Sequence, residues 1–473
     1  MAVNKKNIMT RYFFVVLVMG LIGVAIIVKG TVIMFAERQY WQDVADRFVK
    51  ENVRVKPNRG NILSSDGKLM ASSLPEYRIY MDFKAGGEKK DTMLMNHLGE
   101  ICEGLHQIFP DKSAAEFKRH LLRGRKKGSR NYLIYPKRIS YIQYKEVKRL
   151  PVFKLNKYKG GFHEQPFNQR KKPFGSLAAR TLGDLYADTA QGAKNGIELA
   201  FDTLLKGRDG ITHRQKVMNK YLNIVDIAPV DGCDIISTID VGMQDICEKA
   251  LIDKLKEINA SVGVAVLMEV QTGEVKAIVN MTKAGDGNYY EMRNNAISDM
   301  LEPGSTFKII TSTAALEAGA VSLNDTFYCP GFKIVEDRRI RCHKAGGHGS
   351  ETFVQGVQNS CNPVFMEVGA RLGVGGMFRG MRQLGILSKT NIDVPGEAST
   401  IMHQQKNVGA VELATMSFGQ SFQLSPIRLL TSVSAVINGG HSIVPHFGVS
   451  IENTSNGSVR KLSYPQKKKI VSK

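Results

Sequence analysis

Acidic residues are scarce in this 473-residue sequence: 44 Asp and Glu face 65 Lys and Arg, for a formal charge of +21. Between Asp111 and Lys172 nineteen basic residues meet four acidic ones, so this segment alone carries +15 of the excess. Such a block suits an anionic polymer or a lipid surface, and equally a solvated lysine-rich face. No aromatic-interleaved RNA motif, zinc finger or helix-turn-helix signature accompanies it, so nucleic acid is not an expected partner. The six cysteines include no Cys-x-x-Cys pair, which argues against a metal ribbon or a thioredoxin-type site.

What the sequence does have begins at its N-terminus. Residues 12–28, YFFVVLVMGLIGVAIIV, carry no charge, and after Lys29 and Gly30 the apolar character resumes through Phe35. Together residues 12–35 can span a hydrocarbon core of about 30 Å. Lys5, Lys6 and Arg11 precede the run, so the positive-inside rule keeps the N-terminus cytoplasmic and exports the chain beyond about residue 36. No small-x-small cleavage site comes after it, so the run reads as an uncleaved anchor in the plasma (inner) membrane, with an extracytoplasmic main body.

Beyond the anchor, residues 37–48 have helical spacing, and Ile62-Leu63, a turn on Ser65-Asp66-Gly67, then Leu69 to Ala71 read as a hairpin. Residues 78–83 form another short strand. Ser113 and Glu116 make a capping box ahead of Phe117, Leu121 and Leu122. A second helix over 140–150 stops at Pro151. Neither helix carries a pattern of acids, bases or ligands, so this half reads as scaffold or partner surface. After Asp231 the pattern changes: a strand over 235–239, a helix capped by Asp240, and strands over 262–269 and 274–279 form a sheet. Short helices over 354–358 and 409–416 come next, which gives an α+β domain with helices packed on an antiparallel sheet. In an exported domain Cys329 and Cys342 can pair across the hairpin CPGFKIVEDRRIRC. A zinc site drawing on His343 and His348 is the competing reading; separate roles for these residues are the expectation, and neither a cofactor nor a metal is assigned.

The chemistry concentrates in Glu302-Pro303-Gly304-Ser305-Thr306-Phe307-Lys308. Pro303 and Gly304 open a helix that runs through 309–316 and ends at Gly319. Ser305 and Lys308 then share a face, with the amine within hydrogen-bonding reach of the hydroxyl. A desolvated, partly neutral lysine is one known way to activate a serine. On its own, Ser-x-x-Lys is common. Fifty-five residues after Ser305 stands Ser360-Cys361-Asn362, a second polar set able to point into the same cleft.

The order Ser-x-x-Lys then Ser-x-Asn occurs in penicillin-recognising serine enzymes, and the surrounding phrases make the likeness specific. They include Pro57-Asn58-Arg59-Gly60-Asn61-Ile62, Arg170-Lys171-Lys172-Pro173, Gly196-Ile197-Glu198-Leu199, Ser237-Thr238-Ile239-Asp240 with Gln244, and Gly347-His348-Gly349. Asp393-Val394-Pro395-Gly396-Glu397, Ser417-Phe418-Gly419-Gln420 and Asn438-Gly439-Gly440 continue in the same order. In these phrases the chain resembles class B penicillin-binding proteins, the monofunctional peptidoglycan D,D-transpeptidases, and it leans towards the septal rather than the elongation type.

The resemblance implies three parts: residues 1–36 as cytoplasmic tail and transmembrane anchor, 37–230 as an elongated α/β dimerisation-like pedestal with a basic insertion, and 231–473 as a transpeptidase domain of the serine β-lactamase-like α+β fold. It implies Ser305 as nucleophile, Lys308 as its base, Ser360 as proton relay and Asn362 as a contact for the substrate amide. Implied partners are D-Ala-D-Ala stem peptides, β-lactams, a membrane glycosyltransferase and division proteins. The chain departs from the pattern at one point. No Lys-Thr-Gly or Lys-Ser-Gly occurs after Ser360, and Lys389-Thr390-Asn391 lies in a different phrase, before Ser417. The family places that motif on a strand beyond Asn438-Gly439-Gly440, and here the sequence stops at Lys473. The expectation is a transpeptidase domain incomplete at its C-terminus, with little or no turnover. The alternative is a non-catalytic scaffold of the cell-wall machinery. A β-lactamase explains neither the long pedestal nor the want of a deacylating glutamate phrase.

Overall fold

The computed structural model describes residues 5–41, 53–186, 191–217, 220–465 and 468–472. The chain divides into two compact units, residues 1–57 with 207–231, and residues 58–206 with 232–473. In the first unit the helix Lys5–Phe35 contains the apolar span Tyr12–Phe35, 24 residues long with a mean hydropathy of 2.6 and no part buried. That length exceeds the roughly 20 residues a helix needs to cross a bilayer. Thr31 satisfies its hydroxyl on the Ile27 carbonyl, 2.6 Å away, so it adds no unpaired polar group to the span. The expected helix over 37–48 lies largely outside the described residues. This unit also holds a three-stranded sheet, Val53–Val55 beside Gly210–Val217 beside Lys220–Ile227, all antiparallel.

The second unit is built on an eight-stranded sheet. Its path runs Val459–Lys461, Gly448–Glu452, Asp234–Ser237, Ile62–Leu63, Leu69–Met81 and Tyr132–Leu133; Ile139–Ser140 and Phe162–Lys171 also pair with Leu69–Met81. The hairpin at Ile62–Leu63 forms as expected, with Ile62 opposite Ala71. Two strands read separately from the sequence are one: Leu69–Met81 continues straight through Pro75. The partner Phe162–Lys171 pairs with it from Ser72 to Met81, and that ladder overrides the break a proline signals. Most pairs are antiparallel as expected, but Ile62–Leu63 runs parallel to Asp234–Ser237. Ile62, Met70 and Ile235 of this sheet are buried together with Ile197, Ile278 and Phe447.

Both helices of the basic segment form with the expected caps. Ser113 and Glu116 close a capping box on Ala114–Lys127, and Ser140 and Gln143 close one on Tyr141–Arg149. Phe117 and Leu121 are buried with Ile79, Ile101 and Phe153, while the basic side chains lie outside this core. The quoted phrases account for the unit's polar interior. Glu198, fully buried, accepts Arg59 Nε at 2.8 Å and Arg170 Nε at 2.5 Å; Arg59 Nη1 also reaches Asp202 at 2.7 Å, and Arg170 Nη1 the Gly60 carbonyl at 2.7 Å. Gly60 admits no side chain, because a Cβ there falls 2.0 Å from the Cys233 carbonyl oxygen. Gln244, on the helix Val241–Glu257 capped by Asp240, makes two 2.8 Å hydrogen bonds to the backbone of Ile278. That helix is thereby fixed to the strand Val275–Lys283 of a second sheet, Val262–Met268, Val275–Lys283 and Tyr289–Tyr290.

Candidate active site

The Ser305 phrase forms a 3-10 turn, Gly304–Phe307, leading into the α-helix Lys308–Glu317. Gly319, at φ 65°, ends the helix in a Schellman arrangement in which the amides of Gly319 and Ala320 bond to the carbonyls of Leu316 and Ala315. Phe307 and Ile310 anchor the turn in a core with Met377, Met381, Met416 and Phe422, and the Phe307 and Phe422 rings meet edge-on at 4.7 Å. This leaves Ser305 exposed and Lys308 buried.

The Ser417-Phe418-Gly419-Gln420 phrase is the cradle of that turn. Gly304 N–H donates to the Gly419 carbonyl at 2.8 Å, Ser421 N–H donates to Glu302 Oε1 at 3.0 Å, and Thr311 Oγ1 donates to the Ser417 carbonyl at 2.9 Å. Gly419 sits at φ 86°, and a Cβ there meets the Gly304 carbonyl oxygen at 2.0 Å, so only glycine lets the two segments close.

Ser360 and Asn362 reach the same place from another element. The helix Phe353–Gln358, capped by Thr352, ends in a turn with Ser360 at φ 50°, and Asn362 opens the helical segment Asn362–Gln383, which breaks at Gly373, with Pro363 in its first turn. Lys308 Nζ donates to the Ser360 carbonyl at 2.7 Å, to Ser360 Oγ at 3.0 Å and to Asn362 Oδ1 at 2.8 Å. Asn362 is oriented in turn by its Nδ2 donating to the Arg341 carbonyl at 3.2 Å. Lys308, 4% exposed, lies 5.3 Å from the Phe365 ring centroid. Burial pushes the amine down from 10.5 to about 8, against a smaller opposing influence of Cys342 and Cys361.

The structure joins three of the residues predicted from the sequence, Lys308, Ser360 and Asn362, by hydrogen bonds, and Ser305 stands one turn before Lys308 on the same segment. Ser305 Oγ has no hydrogen-bond partner among the described residues, although the i, i+3 spacing led us to expect Lys308. The amine's three donors are all taken by the oxygens of the 360–362 turn. Lys389-Thr390-Asn391 lies in a loop outside any strand, where Thr390 N–H is held by Glu397, itself paired with Arg428 at 2.8 Å.

The hairpin between Cys329 and Cys342 forms as expected, Phe332–Val335 against Arg338–Arg341. The disulfide does not: all six cysteines are free, and Cys329, Cys342 and Cys361 converge with His348. The sequence reading missed Cys361 as a member of this group. Its position inside the Ser-x-Asn phrase, 19 residues beyond Cys342, was the available signal.

Known proteins support the same reading of the chain. Residues 263–473 match the family described as "Penicillin binding protein transpeptidase domain", and residues 54–237 match "Penicillin-binding Protein dimerisation domain". Stage V sporulation protein D of Bacillus subtilis is 30% identical over 486 residues, an alignment covering 100% of this chain and 72% of that protein. Peptidoglycan D,D-transpeptidase FtsI of Escherichia coli is 26% identical over 388 residues, covering 80% of this chain and 62% of its own. Among solved structures, Penicillin Binding Protein 2X from Streptococcus thermophilus superposes with a TM-score of 0.72 at 21% identity, over 89% of this chain and 64% of that one, a likeness of fold. A relative this similar over most of its length, together with the dimerisation and transpeptidase matches in sequence, shows that the chain belongs to the class B penicillin-binding proteins.

Proposed function

We propose that this protein is a membrane-anchored peptidoglycan D,D-transpeptidase that works through an acyl-enzyme on Ser305. The observation that carries the reading is the buried Lys308 amine, lowered to about 8 and held by Ser360 and Asn362 one turn from an exposed serine. In its neutral form the amine retains two protons for the 360–362 oxygens and offers a lone pair to the Ser305 hydroxyl. Ser305 Oγ attacks the penultimate D-alanine carbonyl, and its proton passes to Lys308. The proton then moves by way of Ser360 to the departing amine as the C–N bond breaks and D-alanine leaves. An acceptor amine from a neighbouring stem peptide attacks the ester, gives up its proton along the same route and restores the serine. Asn362 contacts the substrate amide, and the Ser305 backbone N–H supplies one oxyanion donor. A β-lactam carbonyl enters the same position and acylates the serine.

The names of the relatives, Peptidoglycan D,D-transpeptidase FtsI among them, support an enzyme over a non-catalytic scaffold. Residues 37–230 serve as a pedestal and 231–473 as the catalytic domain, a division supported by the family matches at 54–237 and 263–473. The helix Tyr12–Phe35 anchors the chain with its N-terminus in the cytoplasm, for which Lys5, Lys6 and Arg11 are the support. We assign it to septal cross-linking beside a membrane glycosyltransferase and division proteins, because a sporulation protein and FtsI are among its relatives. The test is an assay of detergent-solubilised protein on nascent peptidoglycan. Release of D-alanine with formation of cross-linked dimers, both abolished by Ser305→Ala, is the expected result. Equal product from the variant and the parent removes Ser305 from the reaction.

A further inference from the structure

Cys361 lies between the two residues that hold Lys308, and the proposed chemistry uses it for nothing. Its Sγ, those of Cys329 and Cys342 and a ring nitrogen of His348 all lie within 4.8 Å of one another. The four come from separate places: the end of Thr326–Cys329, the residue after Arg338–Arg341, the residue before Gly349–Thr352, and the cap of Asn362–Gln383. The three thiols are buried, at 1%, 6% and 0% exposure for Cys329, Cys342 and Cys361, and the His348 side chain is 8% exposed. We propose that Cys329, Cys342, His348 and Cys361 bind a single zinc ion that holds the Ser360–Asn362 turn in place.

Three soft sulfur ligands and one imidazole are the donor set of a closed, tetrahedral structural zinc site. With Zn–S bonds of about 2.3 Å and Zn–N bonds of about 2.0 Å, ligand atoms sit about 3.5–3.8 Å apart. Cys342 Sγ and His348 Nδ1 are already 3.8 Å apart, and closing the widest pair from 4.8 Å requires a shift of about 1 Å. A disulfide accounts for the group less well. It consumes two sulfurs, leaves a third buried thiol beside a buried histidine, and explains no convergence of four. Glu351 lies beside the group, with Oε1 4.0 Å from His348 Nδ1 and Oε2 accepting Asn359 Nδ2 at 3.0 Å.

The ion has a task in this position. Ser360 takes a left-handed backbone conformation, φ 50°, which a non-glycine residue keeps only where its surroundings over-determine it. A metal bond from the next residue to the 329–348 loop supplies that constraint, and so fixes the oxygens facing Lys308. Cys361 is thus a positioning residue. His343 Nδ1 also stands 3.8 Å from Cys342 Sγ, but His343 is exposed and lies outside the converging set.

The test begins with the metal content of the full-length, detergent-solubilised protein, purified with its thiols protected. Stoichiometric zinc is expected in the parent, in Cys102→Ser and in His343→Gln, with zinc lost from Cys329→Ser and His348→Gln. Should those variants fold poorly, the parent alone suffices: cobalt exchanged for zinc is expected to give thiolate charge-transfer and tetrahedral d–d absorption. Stripping the metal with a chelator is expected to slow acylation by a fluorescent penicillin several-fold, with recovery on adding zinc back. The metal count stands whether or not Ser305 reacts, so failure of the proposed function leaves it readable. A metal-free parent whose thiols all titrate, or a disulfide among Cys329, Cys342 and Cys361 in the peptide map, overturns the proposal.

Discussion

At the scale of single residues, burial moves Lys308 and Glu291 towards neutral pH. Lys308 is lowered to about 8 by burial, so below that value the amine carries its proton and cannot accept one from Ser305. The acylation rate is expected to rise with pH and level off above about 8, and Lys308→Gln is expected to abolish it; stopped-time labelling across a pH series reads both. Burial raises the Glu291 carboxyl from 4.5 to about 7, against backbone N–H groups of Arg180 and Asn280 that favour its ionised form. The unfolded chain releases this proton near 4.5, whereas the folded protein keeps it to about 7. Stability from this group is therefore complete below pH 4.5 and is lost as pH rises through 7, a change of about 3 kcal/mol. Denaturant unfolding of Glu291→Gln is expected to lack that component. Residue identities at the site were legible in the sequence because Ser305, Lys308, Ser360 and Asn362 sit in phrases with recognisable spacing. The partner of the Lys308 amine was not, since a residue 52 positions away satisfies it better than the neighbour at i−3.

At the scale of elements, caps and turns were the most legible features. The boxes at Ser113 and Ser140 and the hairpin at Ile62 are local, and local chemistry decides them. Leu69–Met81 was misread because its partner lies 90 residues on, and the hairpin of Gly210–Val217 with Lys220–Ile227 went unpredicted in a segment with no turn signal. The buried network of Arg59, Arg170 and Glu198 shows what the pedestal phrases are for. Removing Glu198 leaves the buried Arg170 guanidinium without a carboxylate, while Arg59 keeps Asp202, so Glu198→Ala is expected to cost about 3–5 kcal/mol in thermal or denaturant unfolding.

At the scale of the whole molecule, the two family matches and the apolar N-terminal helix describe a penicillin-binding protein anchored by one helix, and the sequence alone carried that far. The convergence of Cys329, Cys342, His348 and Cys361 became visible only in the fold, because no fixed sequence spacing links the ends of three strands and a helix cap. Acylation is the step that tests the Ser305 assignment. The most direct measurement is the intact mass of the full-length protein after incubation with a penicillin, followed by peptide mapping. One covalent adduct is expected, on Ser305, absent from Ser305→Ala and slowed by loss of Lys308. A folded parent that takes up no adduct, or an adduct on another residue that persists in Ser305→Ala, contradicts a Ser305 acyl-enzyme.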